Sequence, residues 1–361
     1  MNDRLLTRLL LGAPAVLGLG LLGIFLLPAL AHDSGPHEVA AILHSSVVPI
    51  DLPPVVQYKP DFSDQVAVKR YFGRTLTQLR GDEFPGLHSP VSGDWRSGPG
   101  RSEAHQTFAM YKRSRQAGSR GKRRALVLRP VGGCPKHMRP VFEQLEQFLT
   151  AYFDRPTRWG RALPFPRQGL RMVVSTHGAH AQFPVLPSLR ILVRSVPKDA
   201  LSVLGVTCTD LYQKAGNRYL FGYGTLRHRA GICSVARMYP VLQTLADPVS
   251  RSIGLLRSFK LIAHETGHTL GLHHCTRSQC VMNGVNSLRE VDGQPLHLCP
   301  LCLSKLAWHL RFDVRERYRR LGALLARMNQ PAQAAWYRRQ YLRLVTHGPG
   351  PTMDNAEEDR L

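Results

Sequence analysis

One stretch constrains this chain more than any other: His264-Glu265-Thr266-Gly267-His268-Thr269-Leu270-Gly271-Leu272-His273-His274, which reads HExxHxxGxxH. It closes a helical stretch read over 250–270. In a helix, residues i and i+4 share a face, so His264 and His268 can grip one metal ion together. Gly271 follows, and a glycine lets the chain turn sharply enough for a third imidazole to reach the same ion. His273 adjoins that position, but the spacing selects His274. Three protein ligands leave a fourth position for water, which marks a catalytic zinc rather than a structural one. The metal lowers the pKa of that water toward roughly 7. Glu265 cannot share the ligand face with both histidines, but it lies beside it and is placed to act as general base.

Seven cysteines are present. Cys275 and Cys280 enclose four residues, and Cys299 and Cys302 enclose two. This is the layout of a structural zinc site more than of a disulfide framework. Cys134, Cys208 and Cys233 read as ordinary buried thiols.

The third histidine runs directly into the first cysteine pair, giving HETGHTLGLHHCTRSQCVM, and LCPLC follows. In this the chain resembles the archaemetzincins, whose metzincin-type zinc motif continues into a cysteine pair and a methionine. The resemblance implies a zincin-like metzincin fold of the α+β class, a mixed twisted sheet covered by helices above a long active-site helix. It implies that Met282 forms the turn beneath the three imidazoles, and that Cys275, Cys280, Cys299 and Cys302 hold a second zinc tying the helical C-terminal part to the site. Two Zn2+ per chain, one catalytic and one structural, are therefore expected. The likeness extends to the central strands, where Leu204-Gly205-Val206-Thr207 precedes Asp210-Leu211-Tyr212 and Phe221-Gly222 leads to Ser234 and Arg237. By analogy a peptide would lie antiparallel along the edge strand above the cleft. An aminopeptidase-like preference is implied by the same likeness.

The rest of the chain supplies the setting. Arg4 and Arg8 precede an apolar run from Leu9 to Ala31 that ends in Ala29-Leu30-Ala31. Residues 1–31 read as a signal peptide, or as a signal anchor if uncleaved, so the remainder is expected to be exported or membrane-anchored and extracytoplasmic. Residues 32–124 form a proline- and glycine-rich, loop-rich N-terminal extension with one helix from Asp64 to Leu79. It ends in a basic linker of Lys112, Arg113, Arg115, Arg120, Lys122, Arg123 and Arg124. The zinc peptidase domain is expected over 125–346 and a disordered acidic tail over 347–361.

Within the domain, strands are expected at 125–128, 201–206, 219–221 and 231–237. Helices are expected at 138–153, 187–196, 250–270, 303–328 and 332–345.

Lysine and arginine total 48 against 25 acidic residues, a net charge of +23. Such a surface attracts polyanions, so an anionic surface or polymer is a possible partner through the basic linker. No specific nucleic-acid partner is expected. The leading reading is hydrolysis of a peptide or protein substrate. The alternatives are a catalytically weak, zinc-stabilised envelope binding protein and a basic polyanion-binding protein. An intact Glu265 weighs against the first, since a scaffold needs no general base.

Overall fold

The computed structural model describes residues 79, 84–114, 123–165, 169–175, 178–213, 219–239 and 247–346. The N-terminal apolar segment, the helix expected over 64–79 apart from Leu79, residues 115–122 of the basic linker and the tail over 347–361 lie outside them. Among the described residues no helix is long and apolar enough to cross a membrane.

A five-stranded mixed sheet in the order β2-β1-β5-β8-β7 forms the frame, from β1 (Ala125–Pro130), β2 (Thr157–Trp159), β5 (Ala200–Thr207), β7 (Gly222–Gly224) and β8 (Ala230–Ser234). The first four strands in that order run parallel, and β7 pairs antiparallel with β8 at the edge. All eight residues of β5 are buried, the near-continuous apolar run that a central parallel strand covered on both faces requires. Alternation along the strands assigns the two faces. Leu126, Leu128, Leu204, Val206 and Cys233 join the larger core, while Val127, Val203 and Ile232 join the smaller one. A small second sheet, β3-β4-β6, comprises β3 (Arg171–Ser175), β4 (Gly178–Pro184) and β6 (Asp210–Tyr212).

Helices cover both faces. The short α1 (Phe108–Arg113) precedes the sheet, α2 (Arg139–Phe153) follows β1, and α3 (Val185–Arg194) lies on the smaller core, with Leu192 packed over Gly205. The long α4 (Pro248–Thr269) crosses the larger core, its Phe259 ring stacked on Phe148 of α2 at 4.2 Å. Asp247 caps its N-terminus by accepting from the amides of Val249 and Ser250, and Pro248 occupies the first turn, where no amide is needed. Every residue from Ser258 to Thr269 is buried, so the HExxH motif sits on the enclosed part of the helix.

After α5 (Leu288–Gly293) come α6 (Pro300–Leu310), α7 (Val314–Arg327) and α8 (Pro331–Thr346). The fully buried Arg317 of α7 donates its Nε–H to the Tyr152 carbonyl at 2.6 Å, fastening this end to α2.

Four local expectations change. The helix expected over 303–328 is two helices, divided where Arg311 turns left-handed at φ 55° and Asp313 caps α7. The strand expected at 219–221 lies at Gly222–Gly224, while Leu220 makes only an isolated bridge to Leu211. The strand expected to reach Arg237 stops at Ser234, whose hydroxyl accepts from the Ala236 amide and turns the chain. Cys134 and Cys208 are not free thiols but a disulfide joining the loop after β1 to the end of β5; Cys233 is a buried free thiol as expected.

Candidate active site

The three histidines converge. Their ligand atoms lie within 4.8 Å of one another, and their ring centroids stand 4.6, 4.7 and 5.2 Å apart. Gly271 adopts φ +88°, the left-handed turn that brings His274 back beneath α4. The tautomers follow from the partners. His264 Nδ1 faces the Val281 carbonyl at 2.8 Å and His268 Nδ1 faces the Leu272 carbonyl at 2.7 Å. His274 Nδ1 faces the Glu103 carboxylate at 2.9 and 3.1 Å. Carbonyls and carboxylates only accept, so each Nδ1 carries the proton and each Nε2 presents a lone pair.

The Nε2 atoms of His264 and His268 stand 3.0 Å apart, lone pair toward lone pair. That arrangement fits a cation held between them. Burial pushes the His264 imidazole down to about 3 and His268 well below its ordinary range, with the neighbouring histidines adding to both, so both are neutral as a metal requires.

Glu265 is buried beside the histidines, and burial pushes its carboxyl up to about 8. The Gly224 amide draws it down somewhat, yet Oε2 has no hydrogen-bond partner of regular geometry among the described residues. Above it runs β7, at the edge of the five-stranded sheet, with glycines at both positions that face the helix. A Cβ on Gly222 would lie 2.4 Å from Glu265 Oε1, and one on Gly224 would lie 2.5 Å from His268 Cβ and 2.6 Å from the Glu265 carbonyl. Glycine is what lets this strand lie against the motif. Met282 is fully buried, and its Sδ would stand 2.5 Å from a Cβ on Gly267, so the motif's own glycine opens the space for that sulfur under the helix.

The second cluster is equally compact. Cys275, Cys280, Cys299 and Cys302 are buried with their sulfurs within 4.8 Å of one another, a donor set that fits zinc. Backbone amides point at the sulfurs, Cys299 N to Cys280 Sγ at 3.2 Å and Cys302 N to Cys299 Sγ at 3.5 Å. Asn283 braces the loop, donating to the Cys275 and Ser278 carbonyls and accepting from the Cys280 amide. Hydrogen bonds from the other three thiols hold the Cys275 thiol far down, while burial pushes Cys280 up. Sulfurs this close cannot all carry charge without a cation among them.

A third group of residues was not expected at the site. Residues 84–114 pack on the turn after α4: Gln106 donates to the Gly271 carbonyl at 3.0 Å, and the Tyr111 hydroxyl donates to the Leu270 carbonyl at 3.0 Å. Burial works to raise the Glu103 carboxyl, but its hydrogen bond to His274 and favourable electrostatics from the His274 and His273 rings hold it below the ordinary range. Of the basic linker, Lys112 lies over the Phe108 and Trp308 rings at 5.7 and 5.9 Å.

These motifs have counterparts in known proteins. The profile of peptidase family M54 matches residues 175–308, a span that holds both clusters. Archaemetzincin-2 of Homo sapiens is 32% identical over 267 residues, covering 65% of this chain and 72% of its own length. Archaemetzincin-1 of Homo sapiens is 35% identical over 158 residues, 37% of this chain and 32% of its own. Among solved structures, the archaemetzincin of Methanopyrus kandleri is 28% identical and covers 54% of this chain and 98% of that one, with a TM-score of 0.42. Likeness over most of a relative's length, joined to a histidine triad and a cysteine cluster that can each hold zinc, makes this chain a member of the archaemetzincin family and a zinc metallopeptidase.

Proposed function

We propose that His264, His268 and His274 hold the catalytic zinc, that Glu265 is the general base of peptide-bond hydrolysis, and that Cys275, Cys280, Cys299 and Cys302 hold a second, structural zinc. The observation that carries this reading is the convergence of three Nε2 lone pairs beside a buried carboxylate under a glycine strand. Zinc at the histidines supplies Lewis acidity toward the scissile carbonyl and lowers the pKa of nearby water. In its ionised form Glu265 takes the proton from the attacking water and passes it to the departing amine. The edge strand β7 offers backbone groups to an extended substrate, which would add as a further antiparallel strand. Met282 beneath the helix and the mixed sheet above it support a zincin-like metzincin arrangement. Family likeness favours removal of N-terminal residues over internal cleavage.

A peptide-library digest read by mass spectrometry tests this. Cleavages abolished by a chelator and restored by zinc are expected, clustered at free N-termini. A metal-replete protein that cleaves no peptide would favour the zinc-stabilised envelope binding protein instead.

The strand makes its own prediction. Alanine at Gly224 sets a methyl against the backbone of the catalytic helix, and β7 must lift. We expect kcat/KM to fall by about tenfold or more and stability by about 1–3 kcal/mol, with metal content unchanged. Wild-type kinetics in Gly224→Ala would show that this contact does not matter to the cleft.

We further propose that the chain from His32 onward is extracytoplasmic. The Cys134–Cys208 disulfide supports this, because such bonds persist in oxidising compartments. A C-terminal reporter active only outside the cytoplasm should light up; a silent one refutes export.

A further inference from the structure

Two of the three imidazoles are oriented by backbone carbonyls of their own neighbourhood, Val281 and Leu272. His274 is not. Its Nδ1–H is donated to a carboxylate 171 residues upstream in the chain. The segment carrying that carboxylate is seated on the turn that ends in His274.

The Trp95 indole fills spaces where a Cβ on Gly100 or Gly284 would come within 2.0 or 2.3 Å, and it meets the His274 ring edge-on at 4.4 Å. The Trp95 amide donates to Glu290 Oε1 at 2.8 Å, and Arg289 pairs with the neighbouring Asp94. Gln106 spans the turn: its amide donates to the Gly271 carbonyl, and its Oε1 accepts from the His273 amide at 3.3 Å. The buried Lys305 ammonium in turn donates to the Gln106 carbonyl.

We propose that Glu103 is the positioning residue of the third zinc ligand, and that the segment from Trp95 to Tyr111 is a built part of the metal centre. The inference rests on reading the histidines as the catalytic zinc site. A carboxylate on Nδ1–H fixes the tautomer and the ring plane and makes the imidazole a stronger donor than a carbonyl partner would. The third ligand follows the helix in a loop and has no helical register to hold it. An acceptor delivered from outside supplies what the backbone does not.

The test uses the full chain loaded with cobalt(II), whose visible bands report the histidine site and whose sulfur-to-metal charge-transfer band reports the cysteine site. Zinc affinity at each site is then measured by chelator competition. Glu103→Ala should weaken the histidine site by about 10- to 100-fold and shift its visible bands, leaving the charge-transfer band intact. Glu103→Gln should restore much of that affinity, because its amide oxygen accepts the same hydrogen bond.

Unchanged affinity and bands in Glu103→Ala would overturn the proposal. So would equal loss of both metals, which would make Glu103 a packing residue of the whole fold. If the wild-type chain itself shows no histidine-bound cobalt, the reading of the triad falls before any variant is compared.

Discussion

Glu265→Gln is expected to keep both metals and to lose hydrolysis by roughly 10²- to 10⁴-fold or more, the range for removing a general base. The substitution is nearly isosteric, so it opens no cavity in a site where Glu265 is only 5% exposed. A neutral amide also tolerates that burial better than a carboxylate does. The three imidazoles keep their own partners and remain able to bind the ion. Loss of turnover without loss of metal or stability therefore isolates proton transfer. Kinetics on a peptide found in the digest, with metal content by mass spectrometry, decide the matter. Unchanged turnover would sink the assignment of Glu265.

Serine at both Cys299 and Cys302 is expected to reduce the metal content from two ions per chain to one and to destabilise the fold severely. Structural zinc in small domains contributes apparent binding energies of about 10–16 kcal/mol. Here the thiols join the loop after α4 to the first turn of α6. Damage should also reach the histidines, because the loop between Cys275 and Cys280 leads directly into the Val281 carbonyl that orients His264. The remaining zinc should bind more weakly than in the wild type, while a serine at Cys233, a free thiol outside the cysteine cluster, should leave both ions in place. Metal stoichiometry under reducing conditions and thermal unfolding measure these effects. Finding the four cysteines joined as disulfides in native protein would refute the structural-zinc assignment.

What was legible in the sequence is what local geometry determines. Helical periodicity alone sets His264 and His268 on one face, and Gly271 announced the turn that its φ of +88° makes. The cysteine pairs were legible for the same reason, since short spacings fix short distances. Long-range pairings were not. Glu103 stands alone in a loop-rich stretch, and no periodicity connects it with His274. Cys134 and Cys208 are 74 residues apart, and nothing along the chain marks them as partners.

β-propensity favours an edge strand at Tyr219 to Phe221, whereas the structure places it at Gly222–Gly224, where a side chain would strike the helix. The small β3-β4-β6 sheet went unseen because its short, mixed strands carry no clear alternation.

The Cys134–Cys208 disulfide makes the order of events in folding matter. Closing a loop of that length contributes roughly 4 kcal/mol in the chain-entropy account, so the bond belongs to the mature state. An oxidant able to form it would also act on Cys275 and Cys299, whose sulfurs lie only 3.7 Å apart and could be joined with little movement. During oxidative refolding, ion capture and thiol oxidation would compete for the same sulfurs. On that account, zinc present as the chain folds would protect the cluster better than zinc added later. Refolding with zinc present before any oxidant should recover far more active protein than the reverse order.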